Sequence, residues 1–318
     1  MRKHRFVEWM FSVGMMILGA GVVSGQNYPN KPIRIVTSDP GGGTDSSARV
    51  VAQGLAGLLG QPAIVDNRRG IVPGQIVANA RPDGYTLLVI GFSFWAEPLF
   101  QKVSYDPIKD FSPITFLSTS PNTLVVHPSL SVKTVKELIA LATARPGELN
   151  YASPGIGSST FLTVELFKAM ANVNILHIPY RGGAGSMTAL ISGQVQMSFG
   201  SGVSVAPHIK SGKLMGLAVT SAQPSALFPE LPTVAATLPG YEMSAATAMF
   251  APARTPKAII DRLHQETVRI LNQQDVKDQY LKSGAEVVGS SPEQLDAKMK
   301  SEVAKFGKLI KDAGIRTE

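Results

Sequence analysis

Ile33–Asp45 reads IRIVTSDPGGGTD, and this stretch decides the fold that the sequence predicts. Its apolar first part, Ile33–Thr37, is typical of a buried strand. Three consecutive glycines then let the backbone approach another group closely, and Thr44 or Asp45 is placed to cap a helix. The first N–H groups of a helix carry partial positive charge and bind anions, although a plain strand-to-helix turn is the alternative. We predict ligand contacts at Gly41, Gly42, Gly43, Thr44 and Asp45.

The middle of the chain repeats this pattern. Leu149–Ala152 predicts a strand, residues 153–157 read SPGIG, and Ser158–Thr160 places hydroxyl groups at the start of a helix. Two such loops, one in each of two lobes, would face each other across a cleft and hold a dianionic or zwitterionic solute. The contacts predicted from this segment are Ser153, Gly157, Ser158 and Ser159.

Further candidates follow other predicted strands. A guanidinium at Arg181 can bind a carboxylate through two hydrogen bonds, but an arginine beside a turn can equally face solvent. Phe94 and Trp95 follow the Tyr85–Ile90 strand, where aromatic rings either stack on a solute or pack in the core. The remaining predicted ligand contacts are Ser93, Trp95, Tyr180, Arg181, Gly200 and Ser201.

Strand-like runs alternate with helix-period segments through most of the chain, which favours parallel sheets covered by helices. Two proline-containing segments, Phe111–Val126 and Leu238–Pro256, are candidate crossovers between two lobes. We predict a first lobe of residues 27–122 and 249–318, and a second lobe of residues 123–248. The predicted strands are Ile33–Thr37, Ala63–Asp66, Tyr85–Ile90, Leu124–His127, Leu149–Ala152, Leu176–Pro179, Val195–Phe199 and Leu214–Thr220.

The N-terminus has the pattern of a secretory signal. Arg2, Lys3 and Arg5 precede an apolar run, Trp9–Val23, and small residues follow it. That run is shorter than the roughly 20 residues that a membrane-spanning helix needs, although an uncleaved anchor is the alternative. We predict a cleaved signal peptide at residues 1–25 and a periplasmic protein.

Composition excludes several classes of protein. The 318 residues include no cysteine, which rules out thiol catalysis and thiolate metal sites. The net charge of +7 comes from scattered side chains, so nucleic acid is not a predicted partner. Nucleophile-elbow, Walker, dinucleotide-binding and zinc-protease motifs do not occur. We therefore predict a binding protein without catalytic residues, cofactor or metal.

Several longer motifs occur in a characteristic order from about Tyr28 to the C-terminus. With the glycine loop, they make the chain resemble the solute-binding receptors of tripartite tricarboxylate transporters, the Bug-type receptors. The motifs are DNR at 66–68, RPDGYTLL at 81–88, YDPIKDF at 105–111, NYAS at 150–153, LPTV at 231–234 and SPE at 291–293.

The resemblance implies a type II periplasmic binding-protein fold, in which two α/β lobes are joined by two crossover strands. It also implies a monomeric receptor that captures a small organic carboxylate and delivers it to a membrane permease with a large and a small subunit. In that family, the loops that match Gly41–Asp45 and Ser153–Ser159 hold a ligand carboxylate.

Departures from the family pattern leave the ligand's identity open. Ser38-Asp39 stands before the glycines, and Gly200-Ser201 stands where many relatives have an acidic residue. Two other functions remain as alternatives at this point: a ligand-sensing receptor for a membrane signalling protein, and a periplasmic enzyme on the same scaffold.

Overall fold

The computed structural model describes residues 28–153, 158–180 and 182–312. The predicted signal peptide and the predicted contacts Gly157 and Arg181 lie outside the described residues. Within the described ranges, none of the helices is both long enough and apolar enough to cross a membrane.

The first lobe is built on one sheet. Its strands are β1 (Ile33–Thr37), β2 (Ala63–Asn67), β3 (Thr86–Gly91), residues 111–121 of β4 (Phe111–Val126), β9 (Ser244–Pro252) and β10 (Glu286–Val287). In this sheet β1 lies between two parallel neighbours, β2 and β3, while β9 runs antiparallel to β3 and to the first part of β4. Its helices are α1 (Gly43–Leu59), α2 (Val72–Ala78), α3 (Ser93–Ala96), α8 (Lys257–Leu271), α9 (Gln274–Lys282) and α10 (Pro292–Asp312).

The second lobe is built on the continuation of the same long strand. Its other strands are β5 (Asn150–Ser153), β6 (Leu176–Pro179), β7 (Met197–Ser201) and β8 (Met215–Val219). β5 is parallel to β6 and β7, and residues 122–126 of β4 run antiparallel to β7 and β8. The helices are α4 (Val135–Ala144), α5 (Ser159–Ala171), α6 (Gly182–Ile191) and α7 (Gly202–Lys210). Short 3₁₀ helices occur at Glu97–Leu99, Pro128–Leu130 and Val234–Ala236.

The first crossover is one unbroken strand of 16 residues, β4. Pro113 and Pro121 lie inside it, and the ladder absorbs the first of them through a shift in register after that residue. Pro121 still pairs with Ser244 of the first sheet, whereas Asn122 already pairs with Ser201 of the second. β9 pairs with the first sheet from Ser244 onward. The lobe boundaries after residues 122 and 248 stay a prediction.

Helix α1 is fixed firmly against the first sheet. Ala48, Val51 and Leu55 are fully buried, and burying a valine or leucine side chain contributes roughly 1.5–3 kcal/mol. At Gly54 a Cβ would lie only 2.5 Å from Ile270 Cδ1 of α8, so the close approach of these two helices requires glycine. This packing holds the first turn of α1 in place at the carboxyl end of β1.

Candidate functional site

A cavity of about 580 Å³ lies where the lobes meet, and its volume is in the usual range for a small-molecule site. The first turn of α1 and the segment after β3 line one side. Both crossover strands and the end of α9 contribute the floor, and the second lobe contributes the start of α5. Because β1 and β3 are adjacent parallel strands, their carboxyl ends bring both following segments to one edge of the sheet.

The α1 start leaves its backbone donors open. Helix α1 begins at Gly43, its N-cap is Gly42, and among the described residues no side chain caps this end. The prediction that Thr44 or Asp45 caps the helix is therefore wrong, because both lie inside the first turn. Gly43 and Thr44 line the cavity, where first-turn N–H groups have no partner inside the helix. Gly41 adopts φ +84°, a left-handed conformation that favours glycine.

Asp45 holds the loop before α1 rather than a ligand. Its carboxylate accepts hydrogen bonds from Gly41 N and Asn67 Nδ2, both at 2.9 Å, and from Arg49 Nε at 3.2 Å. Asn67 also donates to Ser38 O at 2.7 Å. Burial alone would raise the pKa of Asp45, but these donors outweigh it and lower the pKa. Asp45 is 5 % exposed and fully occupied, so it positions the loop.

The start of α5 is built differently. Ser158 is its N-cap, and its side-chain oxygen accepts a hydrogen bond from Phe161 N at 3.2 Å. Ser159 lines the cavity, and its Oγ is buried without a hydrogen-bond partner among the residues that the structure describes. A buried hydroxyl without a partner is costly, so this oxygen indicates a place for a ligand group.

The aromatic pair after β3 corrects a prediction. Ser93 lines the cavity as predicted, but Trp95 is 1 % exposed and Phe94 is 2 % exposed. The Trp95 ring packs against Phe116, and its Nε1 donates to Glu302 Oε2 at 2.8 Å. Stacking of Trp95 on a solute is therefore wrong for this structure, because the short helix α3 turns the ring into the core.

Gly41, Gly42 and Ser158 lie next to the two helix starts without lining the cavity, and four other predicted contacts also lie apart from its described lining. Ser153 is fully buried, and its Oγ lies 2.7 Å from His177 Nε2. Gly200 is buried under α7, where a Cβ would overlap Val205. The other two are partly or fully exposed on the second lobe: Tyr180, whose hydroxyl donates to Gln194 at 3.4 Å, and Ser201, which bonds Ser204 at 3.0 Å. Their role in ligand binding stays a prediction.

The sequence analysis missed lining residues from several parts of the chain. Ser118 and Ser120 point from β4 to the cavity, and their spacing of two along a strand was an available signal. Tyr280 and Ser283 come from the end of α9, where nothing local marks them as site residues. They reach the cavity only because the C-terminal helices return to the first lobe.

Glu97 is another missed residue of the cavity lining. Its Oε1 accepts a hydrogen bond from Gln101 Nε2 at 2.5 Å, and its carboxylate is also hydrogen-bonded by Tyr105. Burial raises the pKa of Glu97 more than these two hydrogen bonds lower it. The segment after β3 thus brings an acidic group to the cavity that α1 lines with backbone donors.

Known proteins resemble this chain in sequence and in structure. The family described as tripartite tricarboxylate transporter family receptor (TctC) matches residues 47–315. BugT of Bordetella pertussis is 32 % identical over 320 residues, covering 96 % of this chain and 97 % of BugT.

Two solved structures extend the comparison. R. palustris Rpa4515 with adipate is 33 % identical, covers 92 % of this chain and 100 % of its own, and has a TM-score of 0.73. A TctC solute binding protein from Polaromonas without ligand is 26 % identical, covers 90 % and 99 %, and has a TM-score of 0.82. The two-lobed periplasmic binding-protein fold and the resemblance to Bug-type receptors are confirmed, and the chain belongs to the tripartite tricarboxylate transporter family of periplasmic solute-binding receptors.

Proposed function

We propose that this receptor captures a small organic carboxylate in the cavity between its lobes. One observation carries the proposal: the cavity brings the uncapped first turn of α1, at Gly43 and Thr44, together with the unpartnered hydroxyl of Ser159 from the other lobe. Backbone N–H groups at a helix start and a hydroxyl donor are together suited to bind carboxylate oxygens. Adipate, the ligand of the R. palustris relative, has the same chemistry.

The lobes are proposed to close on the ligand. Similarity of fold is higher to the ligand-free Polaromonas protein than to the adipate complex, although similarity of sequence runs the other way. Sequence divergence therefore does not explain the difference, and a change in the arrangement of the lobes on ligand binding is the reason we propose for it. Bending would be confined to the β4 crossover and to the segment that enters β9.

Contacts between the lobes on one side of the cavity indicate where the hinge lies. Glu286 Oε1 of β10 accepts hydrogen bonds from Ser225 Oγ at 2.6 Å and Ala226 N at 2.9 Å, and both donors belong to the second lobe. Nearby, a Cβ on Gly284 would overlap Val203 at the start of α7. These contacts lie beside the crossover strands and support a hinge on that side of the cavity.

The remaining parts of the proposal concern the receptor's surroundings. The mature chain would begin near Gln26 after removal of the signal peptide, act as a monomer in the periplasm, and deliver its ligand to a permease with large and small subunits. It would release the ligand chemically unchanged. Recovery of intact ligand after long incubation, checked by mass spectrometry, separates this role from that of an enzyme.

A thermal-shift screen tests the proposal directly. Dicarboxylates, tricarboxylates, aromatic acids and amino acids are compared with matched neutral amides at equal concentration. Binding to the native state raises the melting temperature. At a ligand concentration 100 times Kd, it adds about 2.7 kcal/mol to the free energy of unfolding. We expect at least one carboxylate to raise it while its amide does not.

Small-angle X-ray scattering on the same samples tests closure. We expect a smaller radius of gyration at saturation with the carboxylate that gives the largest thermal shift. No shift with any carboxylate would contradict the proposed function, and an unchanged scattering profile at saturation would contradict closure.

A further inference from the structure

Two parts of the cavity lining differ in charge. The start of α1 presents backbone N–H groups at Gly43 and Thr44, which favour an anion. The turn after α3, where Glu97 and Gln101 line the same cavity, contributes an acidic group instead. Among the described residues of the lining, Glu97 is the only one with a formally charged side chain.

The carboxylate of Glu97 can accept further hydrogen bonds. Gln101 and Tyr105 each donate one hydrogen bond to it, whereas a carboxylate offers about four acceptor positions. Within the part of the chain that the structure describes, it has no lysine, arginine or histidine at ion-pair distance, unlike Glu165, which pairs with Lys168 at 2.7 Å. A partly buried carboxylate without a cation favours a cationic ligand group.

The surface near Glu97 is apolar. Phe92, Ala96 and Phe100 line the cavity beside it, so the ligand's middle would contact rings and a methyl group. A second carboxylate placed there would meet the like charge of Glu97 and lose its water to apolar surface. A second carboxylate is thus a poor match for the part of the cavity near Glu97, whereas the start of α1 suits one carboxylate well.

We infer that Glu97 determines specificity by pairing with a cationic nitrogen of the ligand, so that the preferred ligand is a zwitterion whose carboxylate binds at the start of α1 and whose ammonium group binds at Glu97. This inference rests on the proposed function, because the carboxylate end is bound as described above. It separates this chain from the R. palustris relative, whose bound ligand, adipate, is a dicarboxylate. Many relatives have an acidic residue where this chain has Gly200-Ser201. In this chain Glu97 would supply the acidic partner from another part of the sequence.

Calorimetry with matched probes tests the inference. The probes are linear ω-amino acids, dicarboxylates and monocarboxylates of three to eight carbons, compared at each length. For the wild-type protein we expect the ω-amino acid to bind about fivefold more tightly than the dicarboxylate of the same length, the upper end of what one exposed ion pair contributes. Glu97→Gln keeps the shape and the Gln101 contact, and we expect it to abolish this preference.

Glu148→Gln is the control for a general change of charge, because Glu148 is exposed on the second lobe. It should leave the order of the probes unchanged. If dicarboxylates bind the wild type as tightly as the ω-amino acids, or if Glu97→Gln keeps the preference for the amine, the inference is wrong while the proposed function stands. If none of the carboxylates binds, both fail.

Discussion

The two helix N-termini that face the cavity are capped in different ways. At α1 the N-cap is Gly42, and the loop is held from behind by the carboxylate of Asp45. At α5 the N-cap is Ser158, which uses its own oxygen to satisfy Phe161 N, while the hydroxyl of the next residue, Ser159, stays unpartnered among the described residues. Both follow the same sequence pattern of a glycine-rich loop that leads into a helix.

The difference shows how similar sequence patterns offer a ligand different hydrogen-bond donors. Because glycine cannot cap with a side chain, α1 keeps its first N–H groups for a ligand and needs Asp45 and Asn67 for rigidity. The α5 start satisfies its own backbone and offers the Ser159 hydroxyl instead. We therefore expect the first lobe to contribute most of the affinity and the second lobe to complete the site on closure.

Gly43→Val is expected to have the largest effect on binding. A Cβ at Gly43 meets no atom within 4 Å, so the variant folds, but the side chain takes the space next to the N–H groups. Losing about two hydrogen bonds to a charged group, each about 1.5–3 kcal/mol, weakens binding at least about a hundredfold. Isothermal titration calorimetry measures the ligand affinity of the variant and of the wild type.

Gly57→Val is the matched control, because Gly57 lies in the same helix and its Cβ would also meet nothing. It should bind normally. Equal affinities for the two variants would mean that the start of α1 is only a turn.

Asp45→Asn tests the support behind α1. We expect a loss of about 2 kcal/mol of unfolding free energy at neutral pH, since the buried carboxylate accepts several hydrogen bonds. Asp39→Asn, which breaks only the exposed pair with Arg69, should cost under about 0.5 kcal/mol. Denaturant unfolding measures both variants.

The cost of Asp45→Asn should also depend on pH. The pKa of Asp45 is lowered in the folded protein, so its stabilisation is present above the ordinary aspartate pKa of about 3.9 and disappears as the pH falls through the lower folded value. The gap between wild type and variant should therefore shrink below about pH 4. A gap that grows on acidification would contradict the assigned role.

Ser159→Ala and Ser158→Ala separate the two functions at the α5 start. Removing the unpartnered Ser159 hydroxyl should weaken carboxylate binding about tenfold, one hydrogen bond to a charged group, with no loss of stability. Removing the Ser158 cap should lower stability by about 1 kcal/mol. The reverse outcome, with Ser159→Ala unstable and normal in binding, would exchange the roles assigned to these residues.

Trp95→Phe should have the smallest effect on ligand recognition. It removes the donor to Glu302, whose pKa is raised by burial, and leaves a smaller ring in the core, so we expect a loss of about 2 kcal/mol of stability. The order in which ligands bind should not change, because the ring lies in the core. A changed ligand order at unchanged stability would restore the predicted stacking of Trp95 on the solute.

Local patterns in the sequence predicted much of the fold. β1 and β6 have the predicted bounds, because a short apolar run between turn residues is a local signal. The unbroken β4 was not predicted, since prolines usually end a strand and only its pairing with two sheets keeps it extended.

The candidate site was predicted only where it depends on local sequence. The α1 loop was found because glycines before a helix start mark a possible anion site. The contributions of Tyr280 and Ser283 depend on how distant helices return to the first lobe. The burial of Trp95 depends on which way the helix of four residues, α3, turns its side chains, and a sequence period cannot be read from so short a helix.

A crystal structure of the protein with its tightest-binding carboxylate tests the central claim most directly. We predict that one ligand carboxylate lies within hydrogen-bonding distance of the backbone N–H groups at Gly43 and Thr44, and that the Ser159 hydroxyl reaches the same ligand after closure. A carboxylate bound elsewhere, with the first turn of α1 still facing water, would contradict the account.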